Sequence, residues 1–312
     1  MKLVTRNGLL ILEAEEDERV VTFQTPKTSV RPGSGPGVKG VVLHYTAVHA
    51  ASRKPAALDR FSDLLDGQKH ETVRELVESD GRIPPALALS LGNANRPRRK
   101  ASWDVTVGKD GLVVQCNQLS PTNATWHAGR SLKDYRERYG RKDLSTSSGG
   151  LVYDGDAKAF TSPVFPGGEI MGSGNTFTVG IELESWGRVY KKRGRFCRRV
   201  KAAFKPVDLN ADEVIKVGRR YYERISDAQY EALLKVARAY RDHFELPREA
   251  WFSHADIVPD RRVDPEPPLE MEAFVDDLYS DLDPLEEADQ EAEDVEAEYG
   301  VEPTLFCEIL DD

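Results

Sequence analysis

The segment Trp251-Phe252-Ser253-His254-Ala255-Asp256-Ile257-Val258-Pro259-Asp260-Arg261-Arg262-Val263-Asp264-Pro265 sets the tightest limit on how this chain folds. Pro259 and Pro265 lack amide donors and crowd the turn before them, so no long helix crosses the segment. It reads as a strand end running into a loop. His254 and Asp264 are candidate zinc ligands, and a loop of that length can fold back to bring both to one ion. Three protein ligands plus one open position for water is the catalytic form of zinc. The rest of the chain must then supply a third ligand and a general base.

Gly40-Val41-Val42-Leu43-His44-Tyr45-Thr46-Ala47 offers the ligand. Its short, mostly β-branched apolar run reads as a buried central strand, which puts His44 at the carboxyl end, where α/β sheets build their sites. Phe177-Thr178-Val179-Gly180-Ile181-Glu182-Leu183-Glu184 is a second strand. Val179, Ile181 and Leu183 share one face, and Gly180, Glu182 and Glu184 the other. With His44, His254 and Asp264 around one Zn²⁺, a bound water can reach a pKa of about 7, which suits amide hydrolysis. Glu182 is then placed to take the water's proton and return it to the leaving amine, with Glu184 as its rival. Arg262, two residues before Asp264, projects to the same side of an extended segment. It stays protonated, so it can stabilise an oxyanion but cannot act as a base.

The remaining pattern frames these residues. Residues 1–30 suggest one or two short strands, and 31–37 a loop. Leu58, Phe61, Leu64 and Leu65 recur at helical spacing within 55–80, while 81–100 reads as a loop or short helix. Trp103 to Gln118 alternates around Lys109-Asp110-Gly111, a hairpin signal. Residues 133–174 are polar and Gly-rich, read as a surface insertion. Residues 188–224 carry thirteen Lys or Arg mixed with aromatics and read as a basic β-ribbon. Ser226-Asp227-Ala228-Gln229 fits a capping box ahead of a helix striped by Tyr230, Leu233, Leu234, Ala237, Tyr240 and Phe244. A last helix is expected over roughly 268–281.

Charge divides the chain. The formal net charge is −10, yet residues 281–312 hold 14 acids and no Lys or Arg. The body that remains has 43 basic and 39 acidic residues, a net of +4. The tail is read as disordered, a solubilising or partner-docking segment that could also cover the basic ribbon in cis. Cys116, Cys197 and Cys307 form no CxxC pair and are odd in number, which argues against a disulfide framework. The apolar run Leu9–Leu12 is too short for a signal-peptide core, and no run is long enough to span a membrane. The expectation is cytoplasmic synthesis, with any work outside the cytoplasm needing another protein's help with export or lysis.

His44-Tyr45-Thr46-Ala47, Trp126-His127-Ala128-Gly129, Val179-Gly180-Ile181-Glu182-Leu183-Glu184 and Ser253-His254-Ala255-Asp256-Ile257…Asp264-Pro265 stand in an order that resembles the zinc-dependent N-acetylmuramoyl-L-alanine amidases. That family shares its fold with the peptidoglycan recognition proteins and includes phage amidase-type endolysins. The resemblance covers roughly residues 38–280. It implies a single α/β domain with a mixed central β-sheet and helices on both faces. Residues 1–37 precede that domain as strands and linker, 133–174 and 188–224 interrupt it as insertions, and 281–312 follow as the tail. The resemblance implies His44, His254 and Asp264 as zinc ligands, Glu182 as the catalytic glutamate, and Arg262 where the muropeptide-recycling branch has a lysine. It places His127 near the substrate groove; Trp126, read as core or groove wall, and Tyr45 are the further substrate-binding candidates. Asp104 stands where the family often has a histidine, which puts substrate contacts in question. The implied reaction is cleavage of the amide between N-acetylmuramic acid and L-alanine in peptidoglycan, by a wall-lytic, endolysin-type enzyme. A cytoplasmic enzyme recycling anhydro-muropeptides, a non-catalytic recognition module and a zinc hydrolase of another amide are the alternatives. Nucleic acid is not an expected partner.

Overall fold

A computed structural model describes residues 1–15, 18–25, 28–30, 38, 40–46, 82–94, 103–119, 123–125, 153–154, 159–160, 178–200, 203–257, 264–265 and 267–282. In chain order the strands begin with β1 (Lys2–Arg6), β2 (Leu9–Glu13), β3 (Val20–Thr22), β4 (Thr28–Val30) and β5 (Gly40–Tyr45). Helix α1 (Pro85–Ala94) precedes β6 (Val105–Val107), β7 (Val113–Gln115), β8 (Asn123–Thr125), β9 (Tyr153–Asp154), β10 (Ala159–Phe160) and β11 (Thr178–Leu183). Then come β12 (Arg188–Lys192), β13 (Arg195–Val200), β14 (Ala203–Pro206), β15 (Val214–Val217) and β16 (Arg220–Glu223). Helix α2 (Asp227–Phe244), β17 (Trp251–Ser253), the one-turn α3 (His254–Ile257) and α4 (Met271–Tyr279) complete the series.

The central sheet has six strands in the order β17-β5-β11-β6-β7-β3. All neighbours are parallel except the β6–β7 hairpin, so the sheet is mixed. β5 and β11 lie inside it, which is why both read as near-continuous apolar runs. One face packs Val41, Leu43, Val105, Val179, Ile181 and Leu183 against α2 and α4. The other packs Val21, Phe23, Val114 and Cys116 against α1 and Ile83. Helices therefore cover both faces, as the resemblance implies. No helix among the described residues is long and apolar enough to cross a membrane.

The N-terminal region forms more strands than one or two. β1 and β2 close a hairpin through Asn7 and Gly8, whose φ angles of 51° and 76° suit the two-residue turn that Asn-Gly favours. β3 then joins the edge of the central sheet against β7. The Lys109–Gly111 turn does connect paired strands, β6 and β7. Residues 85–94 of the 81–100 stretch are helical, with Pro85 at the first position, where its missing N–H costs nothing. The basic ribbon forms a five-stranded antiparallel sheet, β14-β13-β12-β16-β15.

Ser226 caps α2, accepting from Gln229 N at 3.2 Å. The reciprocal half of the expected capping box does not form. The Gln229 side chain is buried and donates instead to the Val107 and Glu184 carbonyls, at 2.8 and 3.1 Å. Tertiary demand at the sheet edge takes the side chain that the local motif would use. The final helix is shorter than 268–281, spanning Met271–Tyr279. The helix expected within 55–80, most of the 133–174 insertion and the tail beyond Leu282 lie outside the described residues.

Candidate metal centre

β17, β5 and β11 run parallel, so their carboxyl ends open on one edge of the sheet. His44 near the end of β5 is the register partner of Glu182 on β11, and Glu182 in turn pairs with Thr106 on β6. Register partners on adjacent strands point to the same face about 4.8 Å apart. Ser253 pairs with Leu43, so the next residue, His254, reaches the same row from the far side of His44. One row across four strands thus presents His254, His44, Glu182 and Thr106.

The expected loop beyond Ser253 is first a single helical turn. Ser253 and Asp256 cap it reciprocally: Ser253 N donates to Asp256 Oδ2 at 2.7 Å, and Asp256 N to Ser253 Oγ at 3.0 Å. Ser253-His254-Ala255-Asp256 is itself a capping-box sequence, and that signal would have placed the turn. Ala255 N donates to the Asp264 carbonyl at 3.1 Å, which ties the returning chain to the turn. The segment folds back as its length allows.

Asp264 Oδ2 lies 2.8 Å from His254 Nδ1 and 3.4 Å from His44 Nδ1, and the two Nδ1 atoms are 2.8 Å apart. All three residues are buried. Burial works to raise the Asp264 carboxyl, but hydrogen bonds and charge from His254 and His44 outweigh it and hold it well below the usual carboxylate range. His254 Nε2 is buried without a hydrogen-bond partner among the described residues, so Nδ1 is the nitrogen this ring commits to the cluster. Two imidazole nitrogens and one carboxylate oxygen around a common point make an N₂O donor set suited to zinc. Ligands at about 2.0–2.1 Å in a tetrahedron stand about 3.3 Å apart; the 3.4 Å His44–Asp264 edge matches this, and the two 2.8 Å edges would have to open slightly around an ion.

Glu182 is half-buried beside this cluster. Glu184 is buried and turned toward the hairpin turn, with Lys109 N at 3.5 Å from its carboxylate. Tyr45, half-buried after His44, lies flat on Gly187: a Cβ there would meet the ring at 2.2 Å, and the φ of +60° also favours glycine. Asp104 is fully buried, accepting from Gly180 N and Asn117 Nδ2, both at 2.7 Å. It braces β11 from within the sheet rather than facing a substrate. Trp126, His127 and Arg262 lie outside the described residues.

Pattern reasoning missed Glu223. Its carboxylate is fully buried and accepts from Lys109 Nζ at 2.6 Å, Trp186 N at 2.6 Å and Ser185 Oγ at 3.2 Å. Ser185 in turn exchanges hydrogen bonds with Thr46 beyond the end of β5. An acid flanked by Tyr222 and Arg224 in a basic stretch carried no sign of this role.

A family model described as N-acetylmuramoyl-L-alanine amidase matches residues 34–267 of the chain. No curated protein matches it. Among solved structures it is similar to a selenomethionine derivative of AmpD, at 16% identity over 85% of this chain and 96% of that one, with a TM-score of 0.39. It is also similar to AmiD from E. coli in complex with the substrate anhydro-N-acetylmuramic acid-L-Ala-D-gamma-Glu-L-Lys, at 16% identity over 87% of this chain and 64% of that one, with a TM-score of 0.36. A third likeness, to PlyL, has 11% identity over 84% of this chain and 96% of that one, with a TM-score of 0.32.

Proposed function

Since the chain belongs to the N-acetylmuramoyl-L-alanine amidase family, we propose that it hydrolyses the amide between N-acetylmuramic acid and L-alanine of peptidoglycan with one zinc ion, held by His44, His254 and Asp264. The observation that carries this reading is the meeting of His44 Nδ1, His254 Nδ1 and Asp264 Oδ2 beside Glu182, on one edge of the sheet. Bound there, zinc supplies Lewis acidity toward the amide carbonyl and lowers the pKa of a water molecule to about 7.

The protein's own groups do the rest. Asp264, ionised across the working pH range, keeps both imidazoles oriented toward the common point. Glu182 accepts the proton of the attacking water on its carboxylate and delivers it to the nitrogen of the leaving L-alanine. Its place next to His44 in register supports this role, and the orientation of Glu184 toward Lys109 argues against the rival. Arg262 is assigned to the developing oxyanion, which a permanently charged guanidinium can stabilise. Tyr45, held against Gly187, forms one wall of the substrate groove, to which Trp126 and His127 are also assigned.

Purified protein incubated with whole sacculi, and separately with soluble anhydro-muropeptide, tests the reading through release of free stem peptide. Release that a chelator abolishes and added zinc restores is expected. Chelator-insensitive release would remove the metal, and absence of release from either substrate would remove the reaction.

A further inference from the structure

The five-stranded sheet β12–β16 is absent from the chemistry above, yet it is fastened to the catalytic edge. Buried Glu223 on β16 joins it to Lys109 of the β6–β7 turn and to Ser185 and Trp186 just beyond β11. Gly187 at its root supports the Tyr45 ring. Arg188, its first residue, is six positions after Glu182, so the two are at most about 20 Å apart along the chain.

The strand register sorts the side chains of this sheet. Tyr190 pairs with Cys197, Lys192 with Arg195, Arg199 with Phe204, and Arg188 with Tyr222, while Tyr222 and Arg220 stand opposite Ile215 and Val217. One face therefore carries Arg188, Lys192, Arg195, Arg199 and Arg220, all exposed, and no carboxylate from any of its strands. Lys192 stands directly opposite Arg195, a like-charge pair that weakens the sheet on its own. Arg188 lies 4.9 Å over the Tyr190 ring, and Lys192 4.8 Å over Phe204. The aromatics thus hold Arg188 and Lys192 in place on a face dense in positive charge.

We infer that this face binds a stretch of the peptidoglycan polymer next to the amide being cut, through the repeated carboxylates of neighbouring stem peptides. The inference rests on the proposed amidase reading and extends it to the substrate class: a polymeric wall strand rather than a small soluble muropeptide. Five strands at about 4.8 Å spacing make a surface roughly 20 Å wide. A single muropeptide seated at the metal centre does not span that surface as well, whereas a strand with an anionic group on each repeat does. Guanidinium groups, four of the five cations, match carboxylates in a two-pronged geometry.

The test combines Lys192→Thr, Arg195→Thr and Arg220→Thr in the full chain and measures stem-peptide release from two substrates. These are sacculi stripped of phosphate polymers and soluble anhydro-muropeptide, each over a range of salt. Release from stripped sacculi is expected to fall about ten-fold and to lose most of its salt dependence, while release from the soluble fragment is unchanged. Equal rates of variant and parent on stripped sacculi would overturn the inference, as would a dependence on the face seen only with unstripped sacculi, which would point to a phosphate polymer. A charge-retaining variant, Lys192→Arg with Arg195→Lys and Arg220→Lys, separates charge from packing: activity on sacculi between that of the parent and that of the threonine variant is expected, since lysine keeps the charge but not the two-pronged geometry, and a loss equal to that of the threonine variant contradicts the proposal. Sedimentation of the Glu182→Gln protein with stripped sacculi reads the face without turnover. It should be abolished by the three threonine changes even if the parent hydrolyses neither substrate, and binding that survives them overturns the inference.

Discussion

Glu182 and Glu184 sit two residues apart, and their surroundings divide them. Glu182 shares a row with His44 and His254 on the open edge of the sheet, whereas Glu184 is buried under the β6–β7 turn. Glu182→Gln is expected to lower turnover by about 10²–10⁴-fold while zinc remains bound one to one, as read by atomic absorption after dialysis. Glu184→Gln should cost stability more than turnover, and a reversed pattern would exchange their roles. The grouping of His44, His254 and Asp264 was legible chiefly through the order of four family motifs, because the three are spread along the chain and spacing alone singles out none of them; the structure brings their side chains together. Asp104 was not legible. Nothing in its neighbours says that its carboxylate takes the place of a sheet acceptor for Gly180 N. Asp104→Asn keeps the shape but turns an amide donor toward Gly180 N or Asn117 Nδ2. A loss of about 1–3 kcal/mol in urea unfolding is expected, since a buried donor is left without an acceptor.

Among the elements, legibility follows how local the deciding interaction is. The Asn7-Gly8 hairpin and the α3 turn are written in two to four adjacent residues, in signals that pattern reading could have used. The side chain of Gln229 shows the opposite case, because its partners Val107 and Glu184 are 122 and 45 residues away. The docking of β12–β16 is also long-range, through the Lys109–Glu223 pair, 114 residues apart. Lys109→Met leaves a buried carboxylate short of its cation and is expected to cost about 3 kcal/mol. The double variant with Glu223→Gln should lose less than the sum of the two singles in the same urea experiment. At the far side of the molecule, Arg241 of α2 is buried and grips Asp281 beyond α4. The hydrogen bond from Arg241 depresses the Asp281 carboxyl against the opposing effect of burial. A depressed carboxyl contributes stability above its unfolded pKa of about 3.9 and loses that contribution as pH falls through the folded value. Asp281→Asn should therefore lower Tm at pH 7 and converge with the parent as the solution becomes acidic. The difference stays small because the carboxylate is 41% exposed.

For the whole molecule, the candidate metal centre links parts of the chain that only the finished fold brings together. His44 and His254 are 210 residues apart, and Asp264 follows His254 by ten residues in the same segment, which must fold back to reach it. No such site survives in the unfolded chain, so metal that binds the native state adds to its stability by mass action, about 2.7 kcal/mol when free metal is a hundred times the dissociation constant. Stripping the ion with a chelator is expected to lower Tm, and restoring zinc should return it. The cause is twofold: the ion's binding energy is lost, and Asp264 is left to hold two imidazoles at 2.8 Å from each other without a cation between them. His44→Ala should have a lower Tm than the metal-loaded parent and should no longer respond to chelator or zinc. Calorimetry on the parent and on His44→Ala, each with and without chelator, measures this directly. A chelator shift that persists in His44→Ala would mean that the stabilising ion sits elsewhere, and the convergence of these three side chains would then need another explanation.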